Sequence, residues 1–207
     1  MPDLIRDYPV GGMSLDAFCQ KYQKVALAFS GGCDSAYLLS ALLDRGVEVM
    51  PYVVNSAFQA SFELEDARQV AQDLGACLKI IDADVLSQTE VCANTQDRCY
   101  YCKRFIFGTI KKHMAKDGYL TLVDGTNASD DPNRRPGFRA LKELKVLSPL
   151  RLAGMTKNDV REASRARGLF TADKPSFSCL ATKVETGTAL TQESLLKVSA
   201  KEKSKTE

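Results

Sequence analysis

A tight glycine turn between an apolar strand and a largely apolar helix constrains this chain more than any other feature of its sequence. Residues 25–29 predict a buried strand, and residues 36–43 predict a helix. The turn between them, Ser30–Ser35, has the sequence SGGCDS. Adjacent glycines let a backbone approach a ligand closely, and the amides that open a helix point toward an anion. The segment therefore predicts a phosphate-binding turn.

The residue types in this turn suit a phosphate chain. Ser30 and Ser35 can donate hydrogen bonds to phosphate oxygens, while Asp34 can cap the helix or help to hold a magnesium ion. Cys33 occupies a variable position and would contribute only its backbone amide. The Gly-Lys-Ser/Thr ending of a Walker A loop is absent from the sequence. An ordinary strand-to-helix junction, with serines that only cap the helix, is the alternative.

Strands and helices are predicted to alternate along the chain. Strands are predicted at residues 25–29, 47–54, 77–81, 119–123 and 145–147. Helices are predicted at residues 14–22, 35–45, 62–74, 99–116, 137–144 and 156–167. This alternation predicts an α/β fold, a doubly wound parallel sheet of about five strands with helices on both faces.

Polar residues gather where such sheets bind ligands, beyond the carboxyl ends of the strands. Asn55 follows the second strand, where its amide could meet an adenine edge or a ribose; a strand-ending turn residue is the alternative. The loop at residues 124–131 follows the fourth strand and is dense in hydrogen-bonding groups, with a solvated turn as the alternative. Its candidate nucleotide contacts are Asp124, Gly125, Thr126 and Asn127.

A Cys-x-x-Cys pair is the second strong feature. Cys99 and Cys102 are three residues apart, so one helical turn places both sulfurs on one face of a helix. Asp97 is placed to cap that helix, and the helix N-terminus with Arg98 and Lys103 nearby predicts lowered thiol pKa values. A thioredoxin-like redox pair is one alternative, since such motifs also open helices.

Cys179, far along the chain, is a third candidate ligand. Three thiolates with an open fourth position suit an iron–sulfur cluster better than zinc, which takes four ligands. The only histidine, His113, lies about 16 Å further along the predicted helix and fits a shared site poorly. Three unrelated cysteines are the other alternative, and Cys77 is predicted to pack in the third strand as a small apolar residue. The remaining cysteines without evident partners are Cys19 and Cys92.

Composition narrows the class of protein. The 207 residues carry 28 basic and 26 acidic side chains, which gives no signature of broad nucleic-acid binding. No apolar run approaches the roughly 20 residues of a membrane span, and residues 1–10 lack the basic start and apolar stretch of a signal peptide. Seven cysteines without a secretory signal predict a reducing, cytoplasmic location.

Taken together, the motifs resemble those of one enzyme family. The turn is similar to the PP-loop, Ser-Gly-Gly-x-Asp-Ser, of the ATP pyrophosphatase superfamily. The further motifs that recur in order are DRCYYCK at 97–103, DGTN at 124–127, RPG at 135–137, SPL at 148–150, TK at 156–157 and KP at 174–175 before Cys179. From about residue 14 to residue 198, the chain resembles the ATP-dependent sulfur transferases of the LarE type.

The resemblance implies an adenine nucleotide alpha hydrolase-like fold. Residues 1–150 would form a PP-loop ATP-binding domain, and residues 151–200 would form part of a C-terminal sulfur-transfer region. Relatives continue past the segment that matches Thr191–Val198 with a further strand-helix unit, so this region is expected to be short or truncated. Composition adds a disordered polar tail at 201–207, which contains only Lys, Glu, Ser and Thr.

The resemblance also implies a reaction in the biosynthesis of the nickel-pincer cofactor of lactate racemase. ATP, with Mg²⁺, adenylylates a carboxylate of a pyridinium dicarboxylate mononucleotide, and sulfur then replaces AMP to give a thiocarboxylate. The expected partner is this small nucleotide substrate, without a membrane, and a homo-oligomer is left open. The nucleotide contacts would be Ser30, Gly31, Gly32, Cys33, Asp34, Ser35, Asn55, Asp124, Gly125, Thr126 and Asn127.

Two sulfur sources occur in the family. In one version, the cysteine at the position of Cys179 donates its own sulfur. In the other, cysteines that match Cys99, Cys102 and Cys179 hold a [4Fe-4S] cluster whose extra sulfide is the donor. Because all three positions are cysteine here, the cluster version is expected, with Cys179 and Asp34 as catalytic residues. A tRNA thiolase and a non-catalytic nucleotide-binding module are the rival functions.

Overall fold

A parallel β-sheet forms the centre of the computed structural model, which describes residues 9–203. Its strands are β1 Lys24–Ala28, β2 Glu48–Asn55, β3 Lys79–Asp82 and β4 Leu122–Asp124. All neighbours pair in parallel, in the order β3-β2-β1-β4. The predicted α/β class and parallel sheet are confirmed.

Helices connect these strands and follow the last one. They are α1 Leu15–Lys21, α2 Cys33–Leu43, α3 Ser61–Asp73, α4 Thr89–Cys92, α5 Arg98–Lys116, α6 Gly137–Glu143, α7 Pro149–Leu152, α8 Lys157–Ala166 and α9 Gln192–Lys203. Short 3₁₀ turns lie at Val85–Ser87 and Leu180–Lys183. Within the described residues, no helix is both long enough and apolar enough to cross a membrane.

Each face of the sheet has its own core, because successive strand residues point to opposite sides. Val25 and Leu27 of β1 pack with α1, α2 and α8 on one face. Ala26 packs with α5 and α6 on the other face. Helices therefore cover both faces, and β1 is buried between its neighbours β2 and β4.

A third, smaller core attaches the C-terminal residues to the rest of the molecule. Its most buried members are Phe58, Val85, Val91, Leu180, Ala181, Leu190 and Leu195. The residues after α8 are thereby held beside α4 and the beginning of α5. Since Val160 of α8 lies in the same core as β1, the predicted boundary near residue 150 falls within well-packed structure.

The predicted fifth strand is reduced to a single bridge between Val123 and Leu147. Lys145 has a φ of 52°, which an extended strand excludes, and Ser148 already precedes α7. The described sheet therefore has four strands rather than five.

Two predictions concern residues near the ends of the chain, the polar tail and the segment compared with a signal peptide. Helix α9 includes residues 201–203 of the predicted polar tail. Residues 204–207 lie outside the described residues, as do residues 1–8, which carry most of the segment judged against a signal peptide.

Replacing Leu27 by alanine is expected to lower the free energy of unfolding by about 2–5 kcal/mol, because this leucine is fully buried in β1. Leu120→Ala is the matched control, since Leu120 is 90% exposed; its effect should stay within about 0.5 kcal/mol. Urea unfolding followed by circular dichroism measures both values. Equal losses in the two variants would contradict the position of β1 at the buried centre.

Candidate functional site

The sheet has a topological switch point between β1 and β4. From β1 the chain adds β2 and β3 on one side, and it then returns to add β4 on the other side. Parallel α/β sheets bind ligands in the crevice at such a point, beyond the carboxyl ends of the strands. Here the turn Ser30–Ser35 and the loop that begins at Asp124 border the crevice.

Two glycines let the turn pack closely on one side and stay open on the other. Gly31 has a φ of 75°, and a Cβ there would lie 2.7 Å from the backbone nitrogen of Ala67 in α3. Gly32 is the exposed N-cap residue of α2, and a Cβ there would meet only the Ser30 hydroxyl, at 3.5 Å. The first amides of α2 therefore lie at an accessible helix N-terminus, which favours an anion.

The side chains of the turn divide into those that shape it and those that a ligand can reach. The buried Ser35 hydroxyl donates to the Gly32 carbonyl at 3.1 Å and lies 3.1 Å from the Ser30 hydroxyl. Cys33 is buried, with its Sγ 3.6 Å from the Ser164 hydroxyl of α8. Ser35 and Cys33 thus fix the turn, whereas the exposed Ser30 is the hydroxyl open to a phosphate.

Asp34 is paired with a lysine that sequence reasoning left out of the site. Lys157 Nζ lies 2.6 Å from one carboxylate oxygen, and Asn127 Nδ2 donates to the other at 3.2 Å. Asp34 does not cap α2, because Gly32 holds the N-cap position. Lys157 is the first residue of α8, where the helix dipole disfavours a cation. A lysine at this unfavourable position is the sequence signal that could have revealed its pairing with Asp34.

The loop after β4 is shaped from within by its own carboxylate. Asp124 is buried, and its two oxygens accept hydrogen bonds from the hydroxyls of Ser148, at 2.7 Å, and Thr126, at 2.6 Å. A Cβ at Gly125 would lie 2.9 Å from the backbone nitrogen of Ser35. The loop therefore packs directly on the beginning of α2, and the Asp124 carboxylate holds it in that shape.

Asn55 lies at the end of β2, one strand away from the switch point. Its side-chain amide donates to Asp82 at 2.7 Å, which links the carboxyl ends of β2 and β3. A contact between Asn55 and a nucleotide stays a prediction.

A C-terminal strap, residues 172–190, brings Cys179 to the cysteine pair of α5. The Leu180 amide donates to the carbonyl of Phe58, in the loop that follows β2, at 2.9 Å. Cys179 and Cys102 both pack against the third core. Since Phe58 follows the carboxyl end of β2, this bond holds the Cys179 part of the strap at that edge of the sheet.

Burial raises the pKa of the Cys102 thiol, so the prediction of a lowered value was wrong for this residue. The pKa of Cys102 is raised to about 12 by desolvation first, and then by Cys179 and Cys99. The pKa of Cys179 is also raised, mainly by burial, and Cys99 adds to the effect. Arg98 lowers both pKa values without overcoming burial. Each of the three thiols thus interacts electrostatically with the other two.

Cys99, Cys102 and Cys179 lie near one another but do not form a complete set of metal ligands. In the part of the chain that the structure describes, no three His, Cys, Asp or Glu side chains are already arranged to hold a metal ion. A cluster held by Cys99, Cys102 and Cys179 therefore stays a prediction.

One local prediction is confirmed in part, and another was wrong. Asp97 occupies the N-cap position of α5, as predicted, but its carboxylate accepts from Arg139 at 2.6 Å and makes no capping bond. Cys77 is exposed and precedes β3 instead of packing within it. In both cases the outcome depends on how distant segments pack, which local patterns do not contain.

Comparison with known proteins assigns the family. Residues 24–128 match the family model of Queuosine biosynthesis protein QueC. The chain is 32% identical over 192 residues to the Pyridinium-3,5-bisthiocarboxylic acid mononucleotide synthase of Lactiplantibacillus plantarum. The aligned region covers 92% of this chain and 70% of that protein. The chain belongs to the LarE-type family of PP-loop sulfurtransferases. It is therefore an ATP-dependent enzyme of this class with an adenine nucleotide alpha hydrolase-like fold.

Two further relatives bear on the choice within this superfamily. An uncharacterized protein of Synechocystis is 31% identical over 186 residues, 89% of this chain and 69% of that protein. A tRNA-specific 2-thiouridylase of Pseudothermotoga lettingae is 25% identical over 187 residues, 73% of this chain and 54% of that protein. The LarE-type enzyme of Lactiplantibacillus shares more identity, over more of its length, than the thiouridylase does.

Gly32→Ala is expected to weaken ATP binding by about tenfold or more while the fold is kept. The new methyl group would meet no backbone atom, but it would occupy the side from which a phosphate approaches the α2 amides. Gly108→Ala in α5 is the control, because a Cβ there also has open space. Calorimetric titration with ATP measures affinity, and thermal unfolding reports the fold. Unchanged ATP affinity in folded Gly32→Ala protein would show that ATP phosphates do not bind at the α2 amides.

In reduced, metal-free protein near neutral pH, Cys102 is expected to react with iodoacetamide about a hundredfold more slowly than Cys77. Only the thiolate reacts, and burial holds the pKa of Cys102 at about 12, whereas Cys77 is exposed. Raising the pH toward 12 should speed the reaction of Cys102 as its thiolate forms. Time-resolved peptide mass spectrometry measures both rates. Equal rates near neutral pH would contradict the burial of the cysteine cluster.

Proposed function

We propose that this enzyme adenylylates a carboxylate of a pyridinium dicarboxylate mononucleotide with ATP and then replaces AMP with sulfur. The observation that carries the proposal is that Cys179 approaches the Cys99–Cys102 pair on a strap bonded to the loop after β2, at the sheet edge that also holds the phosphate turn. The name of the Lactiplantibacillus relative supports the class of substrate. In the first step a substrate carboxylate oxygen attacks the α-phosphorus of ATP and pyrophosphate leaves. In the second step sulfur attacks the activated carbonyl carbon and AMP leaves.

The chain's own residues would bind and orient ATP for the first step. The α2 amides and the Ser30 hydroxyl would hold phosphate oxygens at the switch point. Lys157 neutralises Asp34 in the structure, with their charged atoms 2.6 Å apart. When ATP and Mg²⁺ bind, the lysine would turn to a phosphate, and the freed carboxylate would help to hold the metal ion. This exchange would leave each of the two side chains with a partner of opposite charge.

Cys99, Cys102 and Cys179 would hold a [4Fe-4S] cluster beside this crevice. The donor set fits, because Cys102 and Cys179 interact electrostatically with each other and with Cys99, and Arg98 favours the thiolates of Cys102 and Cys179. When bound, the cluster would supply sulfide at the iron that has no protein ligand. Since burial keeps Cys102 and Cys179 protonated, loading the site would release protons from these two cysteines.

The rival sulfur source is Cys179 itself. In that case the thiolate of Cys179 attacks the activated carbonyl, AMP leaves, and the residue is left as dehydroalanine after its carbon–sulfur bond breaks. The tRNA-specific 2-thiouridylase relative keeps tRNA as a second candidate acceptor. The lower identity and smaller shared length of that relative favour the small nucleotide.

The three cysteine variants separate the two sulfur sources. If a cluster is the donor, Cys99→Ala and Cys102→Ala should abolish sulfur transfer nearly as fully as Cys179→Ala, because two thiolates hold a cluster poorly. Cys77→Ala, which changes an exposed cysteine, is the control and should keep full activity. Anaerobically purified protein is assayed with ATP, the pyridinium dicarboxylate mononucleotide and added sulfide, and the thiocarboxylate is detected by mass spectrometry.

The same assay contains the outcomes that oppose the proposal. Loss of about 34 Da from Cys179 in iron-free protein, with Cys99→Ala and Cys102→Ala still active, would establish the sacrificial cysteine instead. Sulfur incorporation into added tRNA, with none into the mononucleotide, would replace the proposed acceptor. No pyrophosphate release with any carboxylate substrate would exclude catalysis by this chain.

A further inference from the structure

The strap that carries Cys179 has little regular structure of its own. Apart from the 3₁₀ turn at Leu180–Lys183, residues 172–190 form no helix or strand. At its beginning, Arg161 of α8 donates to the carbonyls of Ala172 and Lys174, at 2.9 and 3.0 Å. The position of Cys179 must therefore depend on bonds that the strap makes with other segments.

Arg98 makes the bond nearest to the sulfur site. Its Nη1 donates to the Ala181 carbonyl of the strap at 2.8 Å and to the Asn94 side chain at 2.5 Å. Its Nη2 lies 3.6 Å from Cys99 Sγ. One guanidinium, 9% exposed, thus touches the strap, a cysteine of α5 and the loop before α5.

Asn94 extends this contact along the strap. It is fully buried, with a φ of 49°, and its Nδ2 donates to the carbonyls of Glu185 and Thr188, each at 2.9 Å. The backbone carbonyl of Asn94 accepts a hydrogen bond from the Gly187 amide at 2.9 Å. Arg98 orients the Asn94 side chain, and Asn94 in turn fixes the later half of the strap.

We propose that Arg98 is a positioning residue that, together with Asn94, docks the strap on α5 and thereby sets Cys179 beside Cys99 and Cys102. The role of this docking in sulfur transfer rests on the proposed function, whereas the docking itself does not. The pair forms a two-residue clamp that connects residues 94–99 to residues 181–188.

Arginine suits this position for a physical reason. A buried guanidinium is stable only when its donors are paired, and here the strap carbonyl supplies part of that pairing. The planar fork can reach Asn94, Ala181 and the Cys99 sulfur at once, whereas the ammonium of lysine is a compact point charge. Strap docking and Arg98 burial therefore depend on each other.

Hydrogen exchange of the metal-free protein tests the clamp. In Arg98→Lys, the amides of Leu180, Gly187 and Leu190, which are hydrogen-bonded in the structure, should exchange about tenfold faster than in the wild type. Arg104→Lys is the matched control, because Arg104 lies on the same helix and stacks on the half-buried rings of Tyr100 and Tyr101 instead of bonding the strap. Its exchange in the strap should be unchanged.

A second variant keeps the test decisive if Arg98→Lys folds poorly. Asn94→Gly retains a backbone that tolerates positive φ and removes only the side chain that binds Glu185 and Thr188. The same acceleration at Gly187 and Leu190 is expected. Wild-type exchange rates in the strap of both variants would overturn the proposal and would mean that apolar packing and the backbone hydrogen bonds hold the strap without the clamp.

Half-reaction assays separate this inference from the proposed function. A positioning role predicts that Arg98→Lys lowers the rate of sulfur transfer about tenfold or more, while ATP-dependent pyrophosphate release keeps its wild-type rate and KM. Equal loss in both half-reactions would indicate a general folding defect and would overturn the positioning role. Absence of sulfur transfer by the wild type would overturn the proposed function, while the exchange data would still decide whether Arg98 docks the strap.

Discussion

Two backbone contacts that only glycine permits hold the phosphate turn in place. A side chain at Gly31 would collide with Ala67 of α3, and one at Gly125 would collide with the start of α2 at Ser35. The N-terminus of α2 is therefore fixed between α3 and the loop after β4. Because these contacts join packed backbone to packed backbone, they fix the position of the turn, and the side-chain bonds of Ser35 and Asp124 then set its detailed shape.

Polar groups around the crevice are balanced by partners from other elements. Lys157 of α8 pairs with Asp34, and the hydroxyl of Ser148 bonds the buried carboxylate of Asp124. Such pairing is required because an unpaired polar group away from water costs free energy. Through the bonds of Lys157 and Asn127 to Asp34, this pairing also connects α8 and the β4 loop to the phosphate turn.

Burial has two opposing effects on Cys102 and Cys179. Burial that shields the thiols from solvent also raises the pKa of Cys102 and Cys179 and keeps them protonated. Under the proposed function, binding of a metal centre would have to displace these protons. Arg98 lies between the strap and Cys99. It donates a hydrogen bond to the strap and also places a positive charge beside the Cys99 sulfur.

The sequence by itself determined the parallel sheet, the position of β1 to within one residue, the phosphate turn and the cysteine pair, because apolar runs, glycine turns and helical spacing are properties of adjacent residues. Only the tertiary structure decided which groups meet. Lys157 reaches Asp34 across 123 positions, Arg98 reaches Ala181 across 83, and burial reverses the expected direction of the pKa of Cys102. Pairing and desolvation depend on how distant segments pack, and no local pattern carries that information.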